Sequence, residues 1–329
     1  MTIMDLIQME VFRFALENTV DSVVITDMDS VIRYVNPAFT QITGFTAEEA
    51  IGQKPSIQKS PHTTRETYEE MWRVIEAGGW WRGEIINVKK SGEEWHSYLS
   101  ISQVRDEHGT PFGYVGIARD ITEMKRLEAR LREAGLEAIF MLSVAAEAKD
   151  EVTGSHIQRV QHYSEAIAQR LGLPKDLVEE IGYSSMMHDV GKIQVPDTIL
   201  KKAGKLTEEE WELMRRHPLH GVAILREKPF YRVARDIAGN HHERWDGKGY
   251  PHGKKGEEIP LASRIVSVAD VFDALTTARP YKDAWDDEKA LAELVKRRGK
   301  NFDPRVVDVF MELYKEGVIR AIRQQFPPD

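Results

Sequence analysis

The chain of 329 residues contains no cysteine, which excludes disulfides and thiolate metal ligands. It also lacks any run of about 18 apolar residues, so we expect no transmembrane helix. The opening MTIMDLIQMEVFRFALE has no basic segment followed by an apolar one, so no secretory signal peptide is predicted. Together these absences predict a cytoplasmic protein.

An excess of positive charge is also missing. The net charge is -8, whereas a general nucleic-acid binder presents a basic face. We therefore expect neither genomic nucleic acid nor a membrane as a partner. A small anion still suits the chain wherever metal ions or local Lys and Arg reverse the field. The length favours two domains, each with its own core.

Residues 11–122 alternate between strand-like and helix-like patterns separated by turn residues. The predicted strands are 23–27, 31–36, 81–88, 94–104 and 113–117, and the predicted helices are 37–43, 47–51 and 62–77. This order predicts an α+β domain with a five-stranded antiparallel sheet and helices on one side.

Three segments of this region, YVNPAFTQITGFTAEEAIGQ, GWWRGEIINVKKSGEEW and GYVGIARDITEMKRLE, resemble a PAS sensory domain. The fold does not identify its signal. One alternative is an empty PAS domain that transmits a signal or dimerises. A second is FAD bound near Trp80, Trp81 and Asn87, and a third is haem with His62 as its ligand. The lack of cysteine excludes a light sensor that bonds flavin to a thiol.

Residues 123–142 change character and predict a helical linker. Apolar residues follow the a and d spacing of a coiled coil with charges between them: Met124, Leu127, Leu131, Ala134, Ala138 and Met141. The pattern favours a homodimer formed through this helix and the PAS domain. The alternative is a single amphipathic helix that packs on its own domain.

Residues 143–329 show helical periodicity and no convincing strand. The predicted helices are 157–170, 174–188, 208–216, 223–226, 231–238, 262–276, 287–298 and 304–316. This pattern predicts an all-α domain joined to the PAS domain by the helical linker.

Histidine and aspartate recur in this half beside glycine or proline breaks or on apolar helix faces. The candidates are His156, His188, Asp189, His217, His241, His242 and Asp270. Each alone is more often structural than a ligand, but the combination suits Fe, Mn or Zn. Two such ions about 4 Å apart can clamp both oxygens of a phosphoryl displacement. Asp189 is suited to bridge them because a carboxylate has two oxygens.

The segments HDVGKIQVPDTILKKAGKLTEEEWELMRRHPLHG and HHERWDGKGYPHGKKGEEIPLASRIVSVADVFDALTTARPYK resemble the HD-GYP family of HD metal-dependent phosphohydrolases. The resemblance implies that these seven residues ligate two metals, Fe or Mn, with Zn or Ni as alternatives. One metal takes His156, His188, Asp189 and Asp270, and the other takes the remaining three histidines with Asp189 bridging. Family members with a third metal place a carboxylate four residues before the first histidine. Here that position is Val152, with Glu151 beside it, so two metals are expected.

The resemblance also implies hydrolysis of cyclic di-GMP to pGpG or GMP, with the metals activating a water. Asp189 and Lys192 are the expected catalytic residues, and Lys192 also contacts a phosphate oxygen. Tyr250 is expected to contact a guanine, and Arg279 and Lys282 to bind phosphate or base. A silent binding module that senses the nucleotide or recruits partners, and a hydrolase of a hybrid cyclic dinucleotide, are the alternatives.

Overall fold

A computed structural model of the protein describes residues 3–147, 154–202, 204–278 and 283–327. The chain forms two compact units, Met1–Arg132 and Glu133–Asp329. Within these described residues, no helix combines the length and the apolar character that crossing a bilayer requires.

The first unit contains one antiparallel sheet with the strand order β2-β1-β5-β4-β3. Its elements are α1 (Ile3–Glu17), β1 (Ser22–Asp27), β2 (Ile32–Val35), α2 (Pro37–Thr43), α3 (Ala47–Ala50), α4 (Arg65–Glu76), β3 (Trp80–Val88), β4 (Glu94–Arg105) and β5 (Pro111–Asp120). The predicted five-stranded antiparallel sheet with helices is therefore confirmed.

Local sequence signals account for the short helices of this unit. The side chain of Asn36 accepts a hydrogen bond from the Phe39 amide and caps α2, which has Pro37 at its first position. Gly44 ends α2 in the left-handed conformation at φ 77°, where glycine has no steric penalty. Thr46 and Glu49 form a reciprocal capping box at the start of α3.

The core of the first unit forms where α4 covers the sheet. Met71 and Ile75 of α4 are buried together with Trp81, Ile85 and Tyr114 from the strands. Because side chains alternate across a strand, Trp80 points away from this cluster and is 68% exposed. The two adjacent tryptophans therefore have opposite environments.

The second unit is helical. Its elements are α5 (Thr122–Glu147, which begins in the first unit), α6 (Gly154–Arg170), α7 (Lys175–Ser185), α8 (Asp197–Leu200), α9 (Glu208–Met214), α10 (His217–Ile224), α11 (Arg232–Asn240), α12 (Leu261–Thr276), α13 (Asp287–Arg297), α14 (Pro304–Lys315) and α15 (Val318–Gln325). The predicted helical character of this half is confirmed.

The helix prediction for this half was wrong at α10, and it missed the short helix α8 and the C-terminal helix α15. The helix expected at residues 223–226 is instead α10, which has proline at its start and ends at Ile224. Arg226 has a φ of 47°, so the chain has already left the helical conformation there. The C-terminal helix α15 was not predicted, although it buries Ile319 against the core.

Helices α6, α12 and α14 share the main core of the second unit. Tyr163, Phe272 and Phe310 are fully buried and contact one another through ring edges and tilted faces. This packing fixes α6 against α12, and it sets the N-terminal turn of α6 opposite the middle of α12. His156 and Asp270 lie on these two segments.

Candidate metal centre

The His188-Asp189 pair lies in the turn that follows α7, directly before a 3-10 turn over Val190–Gln194. Both side chains are buried, His188 at 1% exposure and Asp189 at 7%. The turn packs directly on α10, so the pair is held between helices.

The first half of the centre combines α6, α12 and this pair. Asp270 Oδ1 lies 3.7 Å from His156 Nε2 and 3.8 Å from His188 Nε2. Asp189 Oδ2 lies 3.4 Å from the same nitrogen of His188. Two imidazole nitrogens and two carboxylates thus lie close together.

The second half uses the start of α10 and the end of α11. Asp189 Oδ1 lies 3.1 Å from His217 Nε2 and 3.5 Å from His241 Nε2. His242 completes a cluster in which one ligand atom of each of these four residues is within 4.8 Å of the others. The two oxygens of Asp189 therefore face different groups of histidines.

Four of the histidines are oriented by hydrogen bonds from the ring nitrogen that faces away from the centre. The Nδ1-H group of His156 donates to Asp273 Oδ2 at 2.7 Å. The Nδ1-H groups of the other three donate to main-chain carbonyls: His188 to Ser185, His217 to Met214, and His241 to Ile237 and Ala238. Such bonds fix the tautomer and leave the Nε2 lone pair for a metal.

A buried ion pair supports His156 from behind. Arg159 and Asp273 are both fully buried, and the guanidinium donates to both carboxylate oxygens at 2.6 and 2.8 Å. Arg159 also donates to the Phe326 carbonyl and to Thr277 Oγ1. This pair was not predicted from the sequence, although each member lies one helical turn after a predicted ligand.

The ionisable groups of the centre perturb one another strongly. Burial lowers the pKa of His188, but the carboxylates of Asp189, Asp270 and Glu147 together outweigh burial and raise that pKa to about 10. Burial favours the neutral form of Asp189, yet Lys192 and His188 hold its pKa well below the usual range. Burial lowers the pKa of His241, and it holds the pKa of His242 well below the usual range. Those two rings are neutral near pH 7, the form that binds metals.

The donor set fits a pair of metal ions. His188 Nε2 and Asp189 Oδ1 are buried and have no hydrogen-bond partner among the described residues. Unpaired buried polar atoms of this kind are costly unless a cation or water satisfies them. Imidazole and carboxylate donors suit Fe, Mn or Zn. The chain therefore has buried His and Asp clusters fit for metal ions.

Lys192 and Tyr250 border the centre. Lys192 Nζ lies 2.7 Å from Asp189 Oδ2. The Tyr250 ring stacks on the His242 ring with a centroid distance of 4.7 Å and an interplanar angle of 25°. Glu243 holds the adjoining loop, because its Oε1 accepts hydrogen bonds from the His252 and Gly253 amides. Arg279 and Lys282 lie outside the described residues.

The first unit contains a cavity of about 400 Å³ beneath the sheet. Asn87 lines it and donates a hydrogen bond to Ser97 Oγ. Gln58 Oε1 and Trp95 Nε1 belong to cavity-lining residues and have no hydrogen-bond partner among the described residues.

The structure does not bring the other three predicted cofactor residues to this cavity. Trp80 is exposed, and Trp81 packs in the core under α4. His62 precedes α4, has a 66% exposed side chain and pairs with Glu94 at 2.7 Å. His62 therefore does not line the cavity, and its position does not support the haem hypothesis.

Gly191 is required by the close approach of the 3-10 turn to α10. A Cβ atom built there would lie 1.9 Å from the His217 carbonyl oxygen and 2.5 Å from the Gly221 amide nitrogen. We expect Gly191→Ala to shift the His188-Asp189 turn and to lower the free energy of unfolding by about 1–3 kcal/mol. Thermal unfolding of the purified variant measures this effect.

Gly135→Ala is the matched control, since a Cβ at that helical position meets nothing within 4 Å. Alanine there is expected to be neutral or to stabilise by roughly 0.5–1 kcal/mol. Equal melting temperatures for the two variants would show that the turn and α10 are not in close contact.

The comparisons with known proteins agree with this geometry. The HD domain family model matches residues 141–306, and the PAS domain model matches residues 20–123. The expected order, a PAS domain followed by an HD domain, is confirmed.

Among curated relatives, the chain is 37% identical over 265 residues to 3'3'-cGAMP-specific phosphodiesterase 2 of Vibrio cholerae, covering 74% of this chain and 50% of that protein. It is 46% identical over 195 residues to the cyclic di-GMP phosphodiesterase response regulator RpfG of Xanthomonas campestris, with coverages of 59% and 50%. A cyclic di-GMP phosphodiesterase of Thermotoga maritima is 43% identical over 182 residues, with coverages of 55% and 50%. The chain spans about half the length of these three relatives.

Proposed function

We propose, since this chain belongs to the HD domain family and carries a PAS domain ahead of it, that it is a metal-dependent phosphodiesterase of a cyclic dinucleotide. The PAS domain is proposed to regulate this activity. The relatives described above are named as phosphodiesterases of cyclic di-GMP or of 3'3'-cGAMP.

The position of Asp189 is the observation that carries the proposal. Its Oδ2 faces His188, and its Oδ1 faces His217 and His241. A carboxylate shared in this way holds two cations side by side, the arrangement used for phosphoryl displacement. A structural histidine cluster would not need both oxygens to face separate groups of imidazole nitrogens.

The roles of the neighbouring residues follow from their positions. Metal ions held by these ligands would supply Lewis-acid charge and would lower the pKa of a bound water. Lys192 stands beside Asp189 and adds positive charge where the phosphate becomes more negative. Tyr250 offers an aromatic surface beside His242, which supports the proposed contact with a guanine base. Arg279 and Lys282 remain proposed phosphate or base contacts on sequence grounds.

We propose cyclic di-GMP as the substrate and pGpG or GMP as the product. A hybrid cyclic dinucleotide is the second candidate, because one relative at 37% identity is named for 3'3'-cGAMP. Both substrates present the same kind of phosphodiester to the centre, so base contacts decide between them.

The test uses protein stripped of metal and reloaded with Mn²⁺ or Fe²⁺. Cyclic di-GMP and 3'3'-cGAMP are incubated with it separately, and the nucleotides are separated by chromatography. Formation of pGpG or GMP supports the proposal, whereas cleavage of 3'3'-cGAMP alone favours the hybrid substrate. Tight binding of either nucleotide without cleavage would replace the enzyme with a silent binding module. An absorbance spectrum of the same sample shows whether the PAS domain holds flavin or haem.

We also infer a homodimer formed through the linker helix. The predicted seam on α5 is exposed, with Met124 at 48%, Leu127 at 54% and Leu131 at 77%. Such a row of exposed apolar residues is typical of a helix that pairs with another copy.

We expect Leu127→Glu combined with Leu131→Glu to convert the dimer into a monomer, because the glutamates of the two copies would bring like charges together in the seam. Light scattering coupled to gel filtration measures the mass. Ala129→Glu, an exposed position outside the seam, is the control and is expected to stay dimeric. A wild-type protein that elutes as a monomer contradicts the inference.

A further inference from the structure

Glu147, the last residue of α5, carries a buried carboxylate that the roles described so far do not use. The residue is 2% exposed, and neither carboxylate oxygen has a hydrogen-bond partner among the described residues. Lys192 Nζ is 4.0 Å from its Oε2, too far for a hydrogen bond. A buried carboxylate without a hydrogen bond is costly unless a cation or another polar group contacts it directly.

The carboxylate is directed at the first half of the metal centre. One of its oxygens and one ring nitrogen from each of His156 and His188 all lie within 4.8 Å of one another. Donors about 2.1 Å from a shared ion are at most about 4.2 Å apart, so small side-chain adjustments bring all three into contact with it. Asp270 faces the same two histidines.

We propose that Glu147 is a further protein ligand of the first metal, the ion assigned to His156, His188, Asp189 and Asp270. This inference rests on the proposed two-metal function and deepens it. It gives the first metal five protein ligands and the second metal four.

Hydrogen bonding argues against a separate third ion at this position. His156 and His188 each donate Nδ1-H to a fixed acceptor, Asp273 and the Ser185 carbonyl respectively. Each ring therefore has one nitrogen left, and both of these nitrogens already face Asp270. A third ion beside Glu147 would have no imidazole of its own.

The test compares Glu147→Gln with Glu137→Gln, an exposed residue on the same helix. Metal-free proteins are dialysed against a series of Mn²⁺ concentrations, and bound metal per chain is measured by mass spectrometry. We expect two ions in wild type and in Glu137→Gln. In Glu147→Gln the dissociation constant of one ion rises by at least about 10–100-fold, the loss seen even for residues that only support a metal ligand.

Glu147→Asp keeps the charge on a shorter side chain and is expected to give an intermediate affinity; it also supplies the comparison if the glutamine variant does not fold. Unchanged Mn²⁺ affinity in Glu147→Gln overturns the inference even if turnover falls, since Glu147 then acts only on Lys192. Three ions in wild type and two in Glu147→Gln also overturn it. Absence of bound Mn²⁺ in wild type is a different failure, that of the proposed function itself.

Discussion

Asp189→Ala is expected to reduce turnover of the cyclic dinucleotide by on the order of a thousandfold or more. The variant removes the carboxylate that faces both halves of the centre. Its Oδ2 lies 3.4 Å from His188 Nε2, and its Oδ1 lies 3.1 Å from His217 Nε2. Metal ions supply several kcal/mol of transition-state stabilisation, and each 1.4 kcal/mol or so is a factor of ten in rate. Product formation under single-turnover conditions measures the loss, and circular dichroism checks that the helices remain.

Asp176→Ala provides the control for this experiment. Asp176 lies on α7, the helix that precedes Asp189, and is exposed. It is expected to keep wild-type turnover and metal content. If Asp189→Ala turned over substrate at the wild-type rate, a bridging role for this carboxylate would be untenable.

Arg159→Met is expected to lower the free energy of unfolding by about 3–5 kcal/mol, because it leaves the Asp273 carboxylate buried without its partner. At roughly 2–4 °C per kcal/mol for a domain of this size, the melting temperature falls by about 6–20 °C. Burial raises the pKa of Asp273, but hydrogen bonds from His156 and Arg159 lower it overall, so the charge is present at neutral pH. The Mn²⁺ affinity should also fall, since Asp273 orients His156.

Arg170→Met separates this effect from the loss of any arginine on α6. Arg170 pairs with Glu316 near the surface, where ion pairs contribute about 0–1 kcal/mol. Adding Asp273→Asn to Arg159→Met should recover part of the stability, because the unpaired charge is removed. Equal destabilisation by the two arginine variants would mean that the buried pair has no special role.

The sheet could be predicted from the sequence mainly where polar and apolar residues alternate along a strand and turn residues mark its ends. β4 was predicted at 94–104 and runs over Glu94–Arg105, one residue longer. β5 was predicted at 113–117 but runs over Pro111–Asp120. Of the residues outside the predicted range, Pro111, Arg119 and Asp120 pair with β4, and Ala118 pairs with both β1 and β4 because β5 is the central strand. That pairing depends on tertiary structure, which periodicity within one segment does not contain.

The metal centre was likewise predictable only where the sequence itself marks its residues. Residue type and the family resemblance singled out the seven candidate ligands, and the structure brings them into two adjoining clusters. Glu147, Arg159 and Asp273 were missed because their importance lies in burial and in partners from other helices. His62 was expected to open a helix, but α4 starts at Arg65 after the Thr64 cap. His62 consequently stays on the surface.

The most direct test of the central claim is electron paramagnetic resonance of the manganese-loaded protein. Two Mn²⁺ ions bridged by Asp189 would be spin-coupled, and the spectrum of wild type should show this coupling while that of Asp189→Ala should not. A wild-type spectrum with only the six lines of isolated Mn²⁺, at saturating metal, would contradict a shared carboxylate between two cations.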